Sequence, residues 1–111
     1  MKFKILGAFL LAFSLSALSS NIGTTTTITG IYTYGIDTGS FHNLISVKVA
    51  NPIVGCEDGF WVQAADNEGN KNISAFLLSA FHTGSNVYFA AYTDQLWNGK
   101  HCKIHSAGLT K

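Results

Sequence analysis

The chain has 111 residues, 47% hydrophobic and 12% charged, a length that suits one domain. It carries seven Lys and no Arg, and beyond its N-terminal leader five Lys stand against six acids, a net charge of −1. Nucleic-acid binding draws on a basic, Arg-rich surface, so that class is disfavoured.

Lys2 and Lys4 precede an apolar run at 5–13, and Ala17 and Ser19 then place small residues at −3 and −1 of a cut before Ser20. The run is too short to span a bilayer as a helix. The charged start and small-residue end predict a secretory signal over 1–19, followed by a single domain over 20–111. The domain is therefore expected to be secreted or periplasmic, with no membrane span once the signal is removed. Export favours one intramolecular disulfide between Cys56 and Cys102, which would brace a core of modest size.

Residues 21–27 form a Thr-rich leader, expected to be extended or loose. From Ile28 the even positions Ile28, Tyr32, Tyr34 and Ile36 are apolar, a strand period that puts both tyrosines on a core face. A turn at 37–40 leads to a second strand with Ile45, Val47 and Val49 on one face and Ser46 and Lys48 on the other, so the two runs predict a hairpin. Asn51-Pro52 is a break, Phe60 to Ala65 reads as a third strand, and 66–70 is a polar turn. Ile73, Phe76, Leu77, Ala80 and Phe81 make one helical stripe, with Asn72 able to cap its start and Gly84 its end. That predicts a helix over about 72–83. A strand over 87–92, a turn over 94–100 and a strand over 101–109 complete the chain. The order predicts an α+β domain: a small, mainly β, five-stranded, partly open barrel of the oligomer-binding (OB) kind, with one helix between strands 3 and 4.

No catalytic motif emerges, and neither a cofactor nor a metal is expected. His101 and His105 are four apart, but on a strand that separates their rings by roughly 13 Å, too far to share an ion. His42 and His82 read as solvent-facing. Glu57-Asp58 reads as a solvated loop rather than a pair of catalytic carboxylates. Asn72-Ile73-Ser74 matches a glycosylation sequon, though Asn72 is already explained as a cap. Trp61 has the opposite parity from Phe60 and Val62 and is expected to face outward, while Trp97 sits in a polar turn, where binding and plain packing both remain open. Exposed aromatics beside Asn, Asp and Ser suit sugar recognition or a protein interface. Trp61, Tyr92 and Trp97 are the candidate ligand-binding residues on this ground.

The segment Leu77-Leu78-Ser79-Ala80, then Thr83-Gly84, then Val87-Tyr88-Phe89, set between Cys56 and Cys102, resembles that of small exported bacterial proteins with one disulfide. More remotely it is similar to the binding subunits of the subtilase-cytotoxin and typhoid-toxin group. That resemblance implies an OB fold, assembly into a homo-oligomeric ring, and a cell-surface glycan as partner. It carries over no glycan-contacting residue. The expectation is a non-enzymatic binding protein, with an envelope module that docks a protein partner and no glycan as the alternative.

Overall fold

The computed structural model describes residues 21–35, 39 and 43–110. The expected leader at 1–19 lies outside them, as do Ile36, His42 and all of the 37–40 turn except Gly39. The described elements are β1 (Asn21–Thr33), β2 (Leu44–Val49), β3 (Gly59–Gln63), a 3-10 turn (Ala64–Asp66), α1 (Glu68–Thr83), β4 (Asn86–Trp97) and β5 (His101–Leu109). The helix falls between the third and fourth strands, in keeping with the order of periodicities in the sequence.

The five strands hydrogen-bond in a ring in the order β1-β2-β3-β5-β4, and β4 returns to β1. Where a partly open sheet is expected from the sequence, the Thr-rich segment supplies the closing contact. Asn21 to Thr27 pair antiparallel with Tyr92 to Asn86, and Ile28 to Thr33 pair with Val49 to Ile45. The leader is thus the first half of a long strand, not loose chain. Thr is β-branched and suits the pleated backbone. The buried Thr26 hydroxyl also accepts from the Asn51 amide at 3.1 Å, which anchors the chain where β2 ends.

A bulge in β1 decides which aromatics enter the core. Ile28 pairs with Val49 but Gly30 with Lys48, so one extra residue, Thr29, sits on β1 and the facing parity flips. Thr26 and Ile28 are buried before it and Ile31 packs on the core after it. Tyr32, expected beside Ile28, is instead 63% exposed. Tyr34 is half-buried and packs edge-on against Trp97, outside the core cluster.

The helix begins a turn earlier than its apolar stripe suggests. Asn67, not Asn72, is the N-cap, its side chain accepting from the Asn70 amide at 2.8 Å. Gly84 ends the helix in the left-handed conformation at φ 70° and donates its N–H to the Ala80 carbonyl, the role its position predicts. The buried line is Ile73, Ser74, Leu77 and Ala80. Phe76 and Phe81 lie on its two shoulders and stay 42% and 45% exposed, because the ring's end admits only the narrow centre of the stripe. Ser74 meets its burial cost by donating to the Asn70 carbonyl at 2.9 Å.

Inside the ring Phe60 and Phe89 stack at 4.7 Å, surrounded by Val47, Val62, Val87 and Ile104. The pair contributes about 1 kcal/mol beyond its burial. The parallel β3–β5 contact is the shortest in the ring, with partners only from Gly59↔His101 to Trp61↔Lys103. It is reinforced covalently by the fully buried Cys56–Cys102 disulfide, whose Cα atoms are 5.4 Å apart. Gly59 opens β3 at φ 119°, and a Cβ there would overlap the Val47 carbonyl oxygen. No helix among the described residues is long and apolar enough to cross a membrane.

Two outcomes follow for stability. Replacing both cysteines by Ala opens a 46-residue loop and should lower the unfolding free energy by about 4 kcal/mol, read from the urea midpoint. Gly59→Ala should cost about 3 kcal/mol or more in the same assay, since both the backbone angle and the Val47 contact oppose it.

Candidate functional site

An open cleft of about 580 Å³ lies between the first half of α1 and the outer side of β4 and β5. Its strand wall is shaped by a second bulge. Ala91 pairs with Ile104 but Ala90 with Ser106, which leaves His105 as the extra residue on β5. A bulge re-aims the side chain it carries. Here it sets the His105 ring 4.7 Å from the Tyr92 ring, both lining the cleft.

His105 is held at both nitrogens. Nε2 lies 2.8 Å from Asn21 Oδ1, and Nδ1 lies 2.9 Å from Ser106 Oγ. An amide oxygen accepts only, so Nε2 carries the proton and Nδ1 accepts from the Ser106 hydroxyl. Asn21 reaches this point because it opens β1 and pairs with Tyr92.

The helix wall presents Asn72, Ile73 and Phe76, with Asp66 at the preceding turn and Lys103 on β5 opposite. The head groups of Asp66, Asn72 and Lys103 make no hydrogen bond or ion pair within the described residues. Other polar groups of the helix start are engaged: Asn67 caps, and Asn70 Nδ2 donates to the Gln63 carbonyl at 3.0 Å. The cleft therefore offers one carboxylate, one ammonium, one amide and a tyrosine ring beside an apolar corner.

The three aromatic candidates fall in different places. Tyr92 lines the cleft. Trp61 faces outward, between the fully buried Phe60 and Val62, and its ring lies 5.6 Å from the Lys103 ammonium. Its Nε1 donates to the Gln95 carbonyl at 3.1 Å, which ties the indole to β4. Trp97 belongs to a separate cluster where the β1–β2 and β4–β5 connections meet, with its ring 5.8 Å from Tyr34 and 5.1 Å from His101. Tyr32 extends that cluster at 5.1 Å from Tyr34.

The remaining chemical suspects have structural partners. Asp58 Oδ2 accepts from the Lys100 amide at 2.8 Å, and Glu57 Oε1 accepts from the Gly55 amide. The two acids clasp the β4–β5 turn and the loop before β3. His101 is buried, with Nδ1 facing the Trp97 and Asn98 carbonyls at 3.2 and 3.0 Å. His82 is exposed in the last turn of the helix, where a cation is favourable. Among the described residues no group of three or more His, Cys, Asp or Glu is placed to hold a metal ion.

Sequence reasoning weighs His105 only as a metal ligand and Phe76 only as core, and it gives no role to Asn21, which braces His105 without lining the cleft. A bulge leaves no mark on an alternating pattern, and Phe76 reads as core until the width of the ring's end is known. No protein-family model, curated protein or solved structure matches the chain.

The geometry requires opposite tautomers at the two strand histidines. Long-range proton–nitrogen spectra above pH 8 should show His105 protonated at Nε2 and His101 at Nδ1, and Asn21→Ala should alter the His105 pattern alone.

Proposed function

We propose that the chain is an exported, non-catalytic binding domain of the OB type that holds a glycan in the cleft beside Tyr92. The ring order, the helix between β3 and β4 and the double pairing of β1 support the OB assignment. The buried disulfide supports export, since such bonds persist in oxidising compartments.

One observation carries the ligand reading. The Tyr92 ring, braced by His105, lines a cleft whose polar groups Asp66, Asn72 and Lys103 make no hydrogen bond or ion pair with the described residues. Sugar recognition needs this combination, an aromatic face for the ring's C–H surface and polar groups ready to exchange water for hydroxyls. Trp61 extends the aromatic surface past Lys103 on the adjoining strands.

The Ser106–His105–Asn21 chain invites comparison with a hydrolase, and its chemistry favours binding. In the Ser-His-Asp triad a carboxylate stabilises the imidazolium formed when the serine proton moves. Asn21 is neutral and orients the ring without compensating such a charge. The trio serves here to hold the Tyr92 platform in place.

Exposed Leu78 and Phe81 on the helix favour a second reading, an envelope module that docks a protein partner through α1. A glycan array probed with the oxidised domain separates the two. The expected result is retention on a defined set of glycans and at least a tenfold loss for Tyr92→Ala, with the near-UV spectrum keeping its form. Retention on none, with a partner captured through Leu78 and Phe81, would establish the protein-docking reading instead.

A further inference from the structure

The balance of charge and the apolar corner restrict which sugar the cleft can take. Asp66 and Lys103 contribute one charge of each sign to the walls. An anionic sugar would gain Lys103 but would face Asp66, so the wall as a whole favours a ligand without net charge.

The helix wall adds a demand of its own. Phe76 and Ile73 form an apolar corner, and Phe76 is 42% exposed although its neighbours Ile73 and Leu77 are buried. Asn72 stands on the same wall with both halves of its amide unengaged. A plain hexose carries hydroxyls around its rim, and with its C–H face on Tyr92 it has no methyl to cover the Phe76 face. An acetamido substituent carries a methyl for that face, together with an N–H and a carbonyl that complement an amide side chain.

We infer that the cleft is specific for a neutral 2-acetamido-2-deoxyhexose, with the sugar ring on Tyr92, the acetamido methyl against Phe76 and Ile73, and its amide paired with Asn72. This rests on the reading of the cleft as a glycan site. Phe76 is then a specificity-determining residue and not a misplaced core residue. Asp66 and Lys103 serve the ring hydroxyls, as acceptor and donor.

The experiment is an NMR titration of the oxidised, 15N-labelled domain with four probes: methyl β-N-acetylglucosaminide, methyl β-N-acetylgalactosaminide, methyl β-glucoside and sialyllactose. The expected result is that at least one of the two acetamido sugars binds about tenfold tighter than the glucoside. Its shifts should centre on Asn72, Ile73, Phe76 and Tyr92. Phe76→Ala should abolish that discrimination while glucoside binding persists, and the half-exposed position makes the variant compatible with folding. Equal affinity for glucoside and both acetamido sugars would overturn the inference and leave the glycan reading standing. Preference for sialyllactose would overturn the neutral-ligand argument. Absence of shifts with all four would remove the inference and the glycan reading together.

Discussion

The ring depends on its weakest seam, the parallel contact between β3 and β5. Every other neighbouring pair in the ring is antiparallel and spans more residues, whereas this pair meets at three positions. Parallel pairing is slightly less stable per residue, and a short parallel contact has little hydrogen bonding to hold it. The Cys56–Cys102 bond ties β5 to the loop before β3 at Cys102, the residue that pairs with Phe60 across the seam. Asp58 adds a second tie by holding the Lys100 amide, and the Lys48 ammonium points to the Asp58 carbonyl at 3.5 Å. The seam is thus closed mainly by groups outside the ladder. Were it open, β5 would lose its register against β3, and with it the position of Lys103 between Trp61 and the cleft.

Much of this architecture was legible in the sequence because it rests on periodicity. The helix stripe, the alternation of Ile45, Val47 and Val49, the outward parity of Trp61 and the Gly84 cap all follow from local rules that the ring leaves intact. The failures share one cause. Thr29 and His105 each insert one residue into a strand, and each insertion reverses which side chains face the core. Counting by twos from Ile28 puts Tyr32 inside, while the bulge puts Ile31 there. The polar leader, extended or loose by its sequence, is extended for a long-range reason. A run of Thr carries no hydrophobic signal, and its strand conformation comes from β4, about sixty to seventy residues away.

The site inherits its form from these same departures. The bulge at His105 turns that ring toward Tyr92, and the far end of β1 supplies Asn21 to fix it. The helix, too wide in its apolar stripe for the end of the ring, leaves Phe76 at the surface facing the strand wall. None of the three has a motif, since each is a consequence of how long-range pairing meets local pattern. The candidate aromatics are consequently scattered in space: one lines the cleft, one borders it, and one belongs to another cluster.

The shape of the cleft bears on how such a domain could work. It is open, with a single braced ring and a few polar groups on its walls. On the glycan-binding reading, one stacking contact of about 1 kcal/mol and several hydrogen bonds of about 1 kcal/mol each would have to offset the loss of rigid-body freedom on association, which would leave a millimolar rather than a nanomolar site. Sites of this strength would engage a surface only when several act together. Copies of the chain held in one assembly gain affinity through effective concentration without any new contact. The exposed helix residues Leu78 and Phe81 lie on the opposite shoulder from Phe76, so an assembly built through them would leave the cleft accessible. On the proposed reading the two surfaces would serve one purpose: the helix face would gather the domains, and each domain would contribute a weak, selective grip.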